Sequence, residues 1–180
     1  EITMPQSVSL QPLQSSNTFL RISTSDPDEY FLLENRQTSA NTYDRYLPSH
    51  GMLIWHVDRR ESAHISYTVY GSTYTISCAD AWNLDYNAVN CNYNHQCLEL
   101  LSAAGSSTAK SSTGTPYPGQ QMVTSFTDTT DPAMKSWTGV ALGTPVTEIR
   151  EINGVISFDF CGGGDPVVIE ATEATNIGAE

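Results

Sequence analysis

Three residues of this chain combine metal-ligand side chains with close spacing: His50, His56 and Asp58. They frame the run His-Gly-Met-Leu-Ile-Trp-His-Val-Asp. Residues two apart on an extended strand face the same side, so His56 and Asp58 would share a face, with His50 at the strand's mouth. Imidazole nitrogen and carboxylate oxygen are zinc ligands. The structural alternative is preferred: Trp55 and His56 pack in layers around a core, and Asp58 accepts hydrogen bonds where the strand ends.

A second polar group, Glu34, Asn35 and Arg36, closes the preceding apolar run. Glu34 and Arg36 lie two apart and flank Asn35. Acid–base catalysis by carboxylates would need a second acid at a fixed separation. Asp44 and Asp58 are the available acids, and spacing fixes neither distance. An ion pair joining Glu34 or Asp44 to Arg36 or Arg45 is expected instead, pinning the long connection 37–51 to a sheet. Asp128 and Asp131, in Phe-Thr-Asp-Thr-Thr-Asp-Pro, have the side chains that calcium takes, but two acids in a polar loop ordinarily make a turn. No Gly-x-Ser-x-Gly elbow is present, and no Lys-Ser/Thr follows Gly162, Gly163 and Gly164 as a phosphate loop requires. His64 and His95 receive no role.

The elements that must position these groups are strands. Residues 30–33 and 52–57 are short apolar runs rich in aromatic and β-branched side chains. The second is apolar on both faces and so belongs in the middle of a sheet with material packed on each side. Alternating patterns predict strands over 7–13 and 18–23, a turn at Asp26-Pro27-Asp28, and a hairpin over 64–70 and 73–78. Residues 79–94, with Trp82, are expected as an irregular loop. Further strands are expected over 96–102 and 122–126. Asn153-Gly154 between alternating runs predicts a closing hairpin of 146–151 and 155–160. The sum is an all-β domain over 1–161, a sandwich or strongly curled antiparallel sheet of about nine or ten strands with long loops. The hairpin and loop near 59–95 read as an insertion, and 162–180 as a Gly-rich linker and tail toward a further domain.

Charged residues make up 16% and the net charge is −12, with only eight Lys and Arg, scattered singly. This balance argues against nucleic acid and anionic membrane surfaces as partners, and no run is long enough to span a membrane. Cys78, Cys91, Cys97 and Cys161 show neither Cys-x-x-Cys nor zinc-ligand spacing, so disulfides of an exported protein are expected, with buried thiols of a cytosolic protein as the alternative. Cys78–Cys91 and Cys97–Cys161 are the preferred pairs. The opening Glu-Ile-Thr-Met-Pro, without an initiator Met, reads as an excised piece of something longer.

The succession Glu-Tyr-Phe-Leu-Leu-Glu-Asn-Arg-Gln, Tyr-Asp-Arg-Tyr-Leu-Pro-Ser-His-Gly-Met-Leu-Ile-Trp-His-Val-Asp, Asn87-Ala88-Val89-Asn90, Pro116-Tyr117-Pro118-Gly119, Phe126-Thr127-Asp128 and the closing 152–160 segment resembles the M6 family of secreted metallopeptidases, the relatives of immune inhibitor A. It is similar to the β-rich part that follows their zinc-binding helix, over residues 8–161. The chain has no His-Glu-x-x-His, so the resemblance implies a zinc-loaded catalytic domain upstream of Glu1 in the same polypeptide. It further implies an extracytoplasmic location, a supporting role for this chain without peptidase activity of its own, and protein substrates for the parent. Glu34, Asn35, Arg36, Trp55, His56 and Asp58 then form a structural motif. The alternative is a free-standing β-sandwich that displays Tyr67, Tyr70, Tyr74, Trp82, Tyr86 and Tyr93 toward glycans or protein.

Overall fold

A computed structural model of the chain describes residues 1–39, 43–60, 64–83, 88–92, 94–107 and 112–164. Nine strands lie among them. The order is β1 (Gln6–Leu10), the short helix α1 (Leu13–Ser16), β2 (Leu20–Ser23), β3 (Glu29–Arg36), a 3₁₀ turn (Tyr43–Tyr46), β4 (Gly51–Asp58), β5 (His64–Val69), β6 (Ser72–Ser77), α2 (Cys78–Asn83), β7 (Leu98–Leu101), β8 (Val146–Ile152) and β9 (Val155–Phe160). All pairings are antiparallel, in a four-stranded sheet β2-β3-β4-β7, a three-stranded sheet β1-β9-β8 and the separate hairpin β5-β6. The expectation of an all-β, sandwich-like protein is met. No helix among the described residues is long and apolar enough to cross a membrane.

Period-two alternation decides what faces inward. Along β3, Glu29, Phe31, Leu33 and Asn35 are buried while Tyr30, Leu32, Glu34 and Arg36 are half-buried. Strand β4 lies between β3 and β7, the central place its two-sided apolar sequence requires. One core joins Leu20, Ile22, Phe31, Leu33, Met52, Ile54 and Leu101 of the larger sheet to Val8, Leu10, Val146, Ile149, Ile156, Phe158 and Phe160 of the smaller. The space between is filled by Tyr117, Phe126 and Met134, all fully buried side chains from the long segment before β8. That segment replaces the strand expected over 122–126, where Phe126 makes an isolated bridge with Val146 and no longer ladder forms. Another bridge, between Met52 and Tyr117, anchors the segment to β4. Gly51 (φ +131°) permits this approach, since a Cβ there would stand 2.6 Å from the Tyr117 carbonyl oxygen.

Both predicted hairpins form on two-residue turns of positive φ, Tyr70-Gly71 (49° and 79°) and Asn153-Gly154 (51° and 79°). The first turn is shorter than expected, so β6 begins at Ser72. The first strand stops at Leu10 and α1 follows, because Pro12 supplies the carbonyl that Ser15 and Ser16 N–H groups take at 3.0 and 3.1 Å. Residues 165–180, most of the predicted linker and tail, lie outside the described residues.

Asn35 couples the two sheets. Its side chain is buried, and Nδ2 donates to the carbonyls of Leu10 in β1 and of Gly154 in the β8-β9 turn, each at 2.8 Å. Gln37 Nε2 donates to its Oδ1 at 2.8 Å. Asn35→Ala leaves carbonyls in this seam without their donor and is expected to cost about 1–3 kcal/mol. Urea unfolding should show a lower midpoint at unchanged slope.

Candidate functional site

The titratable groups of β3 and β4 converge where the two strands open, with Glu29 paired across from Asp58 and Phe31 across from His56. Glu29 is 1% exposed, yet its Oε1 accepts from the Trp137 backbone N–H at 2.6 Å and lies 2.8 Å from His56 Nε2. Glu29 Oε2 accepts no hydrogen bond and rests 3.8 Å from the Arg60 guanidinium. Asp58 is likewise buried. Its oxygens take the Arg60 side chain in a fork (Nε at 2.9 and 3.0 Å, NH2 at 2.5 Å), the Arg60 backbone N–H at 3.0 Å and His95 Nε2 at 2.6 Å.

Burial acts most strongly on Asp58 and pushes its pKa up. The hydrogen bonds from Arg60 and His95 together outweigh it and hold the carboxyl below its ordinary 3.8. Four rings complete the cluster as a column. Phe31 stacks on His56 (centroids 4.5 Å), His56 on Trp137 (5.6 Å) and Trp137 on His95 (4.2 Å). His56 is therefore covered on both faces and only 6% exposed. Two carboxylates and two imidazoles could serve acid–base chemistry; Glu29, Asp58 and His56 are buried, and His95 is half-buried and bonded to Asp58. The arrangement locks the strand ends together.

His50 stands at the other end of β4, half-exposed, with Nδ1 2.8 Å from Glu151 Oε1. The three residues singled out by spacing thus do not converge: His56 and Asp58 share a cluster, and His50 lies a strand's length away, roughly 20 Å at about 3.3 Å per residue. His50 borders a cleft of about 910 Å³ whose rim carries the exposed side chains Leu47, Met122 and Ile152. No group of three or more His, Cys, Asp or Glu residues suited to a metal ion occurs among the described residues. Asp128 receives the N–H groups of Leu142 and Gly143 at 3.0 Å, and Asp131 that of Ser106 at 3.3 Å. Each carboxylate thus staples a loop.

The expected ion pairing of Arg36 forms with both Glu34 and Asp44. Arg36 reaches Glu34 Oε2 at 3.2 Å and Asp44 Oδ2 at 3.1 Å, tying the 3₁₀ turn to β3. Trp55 is half-buried and donates from Nε1 to Glu34 Oε1 at 2.9 Å. On the same outward face, Leu32, Leu53 and Leu100 are also half-buried, with Trp55 paired to Leu32 on one side and Leu100 on the other. Of the expected display of aromatics, Tyr67 and Tyr74 are cross-strand neighbours stacked on each other (5.7 Å, planes 22° apart), and Tyr70 is fully exposed at the turn. Tyr86 and Tyr93 lie outside the described residues.

The expected disulfides are absent, and all four cysteines are free thiols. Cys97–Cys161 fails for a packing reason: Cys97 is buried against Cys78 beside Ile65 and Trp82, whereas Cys161 packs on the main core. The expected pair Cys78 and Cys91 is adjacent but unbonded, with sulfurs 3.8 Å apart. Sequence reasoning also missed Glu29, Arg60, His95 and Trp137. Glu29 had one signal, a carboxylate at a strand start in register with Asp58. Trp137 had none, because its partners Glu29, His56 and His95 all lie far from it along the chain.

Comparison with protein-family models, with curated proteins and with solved structures found no match.

Proposed function

We propose that this chain is a non-catalytic β-rich module of an exported M6-like zinc metallopeptidase, and that it buttresses the catalytic domain of the same polypeptide. The resemblance supplies the family. The observation that supports the buttressing role is the outward row Leu32, Leu53, Trp55 and Leu100, apolar on a face that a free-standing antiparallel sandwich makes polar. Of the motif residues, Glu34 and Arg36 flank the row on the same face while Asn35, His56 and Asp58 lie on the opposite one, and all bond within the fold. Zinc would be held by the upstream domain's own ligands, and proteolysis of protein substrates would belong to that domain.

Leu53→Gln and Leu100→Gln test the reading. In this chain alone each is expected to cost about 1 kcal/mol, as half-buried side chains should. In the parent enzyme, where the row would be covered, the pair should cost severalfold more and lower the yield of folded peptidase. Equal losses in both contexts would contradict a buttressing face.

A free-standing glycan- or protein-binding sandwich finds its support in the exposed hairpin β5-β6. Its two central tyrosines stack face to face with each other rather than forming a planar row for sugars, so this reading ranks second.

A further inference from the structure

Three of the four thiols meet at one place. Cys78 opens α2 directly after β6, Cys97 directly precedes β7, and Cys91 lies on the loop between. Cys78 and Cys97 are fully buried and pack against each other in one cluster, while Cys91 is partly exposed with its sulfur 3.8 Å from that of Cys78. Cys78 thus touches both of the others. Three sulfurs cannot all pair, so any single bridge leaves a thiol beside it.

We propose that Cys78, Cys91 and Cys97 form an oxidisable site in which Cys78 is the shared partner of two alternative disulfides, Cys78–Cys91 and Cys78–Cys97, with a small or protein disulfide as oxidant. Oxidation enters at Cys91, the sulfur with access to solvent. Its thiolate attacks the oxidant, an S–S bond to Cys91 forms, and the oxidant's first half leaves as a thiol. Cys78 then attacks the Cys91 sulfur, gives up its proton, and releases the second half. Two protein thiols have lost two electrons and one external disulfide has become two thiols. In the third step Cys97 gives up its proton and attacks the Cys78 sulfur, the Cys78–Cys91 bond breaks, and Cys91 leaves and takes up a proton, with no further change in oxidation state. Burial pushes the Cys78 thiol up to about 12 and raises Cys97 as well, so neither is the first nucleophile at neutral pH.

The two bridges differ in what they fasten. Cys78–Cys91 closes a local loop. Cys78–Cys97 ties α2 and the β5-β6 hairpin to the edge of the four-stranded sheet, where the Cys97 carbonyl already accepts from Asp58 N–H at 2.8 Å. The bridge position therefore sets whether the hairpin is stapled to the sheet. This inference stands apart from the peptidase reading and requires only an oxidising disulfide.

The test is to incubate the chain with glutathione disulfide, quench in acid, alkylate free thiols and map bridges by mass spectrometry. Two of the four thiols should be lost, the bridges found should be Cys78–Cys91 and Cys78–Cys97, and Cys161 should remain alkylated. Cys97→Ser should retain Cys78–Cys91 alone, and Cys91→Ser should form Cys78–Cys97 more slowly. Cys78→Ser should give a glutathione adduct at Cys91 and no bridge. A wild-type map showing a bridge to Cys161, Cys78–Cys91 without Cys78–Cys97, or no bridge overturns the proposal, as does a Cys91–Cys97 bridge in Cys78→Ser. The wild-type map decides alone where a serine variant does not fold.

Discussion

Asp58→Ala is expected to lower the unfolding free energy by about 3–5 kcal/mol, the loss typical when one partner of a buried ion pair is removed. The side chain is wholly buried, and its removal leaves the Arg60 fork and His95 Nε2 without their acceptor, beside Glu29, which is also enclosed. Urea unfolding at neutral pH measures the loss. The pH dependence gives an independent reading. Because the folded pKa of Asp58 lies below its ordinary 3.8, the native state binds fewer protons than the unfolded state between the two values. Stability from this group is therefore complete above the ordinary value and is lost as pH falls through the folded one. The wild type should show this acid-side decline and Asp58→Ala should lack that share of it. A variant within about 1 kcal/mol of wild type, far below the penalty for an unpaired buried charge, would mean that the cluster does not hold the strand ends together.

The second large effect is expected at Phe31. Its side chain is fully buried, stacks on His56 with centroids 4.5 Å apart and meets Phe126 edge-on at 5.5 Å. It is thus the contact between the aromatic column and the core proper. Phe31→Ala should cost about 3–5 kcal/mol through lost transfer energy and the cavity left behind. Phe31→Leu should recover most of that, since it refills volume but not the stacking. Trp137, two rings along the column, gives the local readout: its fluorescence should shift toward that of a wetter indole in Phe31→Ala and stay near wild type in Phe31→Leu. Equal losses for both variants would assign the effect to the stack rather than the cavity.

What could be read from the sequence was local or periodic. The two-sided apolar run Met52 to Val57 announced a central strand, and β4 does lie between β3 and β7, with one face in the core and Leu53 and Trp55 half-buried on the other. Asn153-Gly154 announced its hairpin through backbone conformation alone. The Glu34–Arg36–Asp44 triad was legible because two of its members share a strand face and the third lies in the next connection. Contacts set by packing at long range were not legible. Asp58 was expected to accept hydrogen bonds, but its partner His95 came from a stretch without periodicity, and Trp137 from a segment that fills the core without forming strands. Residues 122–126 have the alternation of a strand, but Met122 adopts positive φ and Phe126 turns into the core as a single bridge. Cysteine pairing failed similarly: sequence counts thiols but does not place them, and Cys97 and Cys161 belong to different clusters.

The proposed role has this chain supporting a zinc peptidase rather than acting alone. The measurement that tests it most directly is the sequence of the coding region upstream of Glu1 in the same reading frame. A His-Glu-x-x-His motif on a helical stretch is expected there, behind a secretory signal. A secretory signal placed directly before Glu1, with no such motif, would contradict it and leave the free-standing binding module as the better reading.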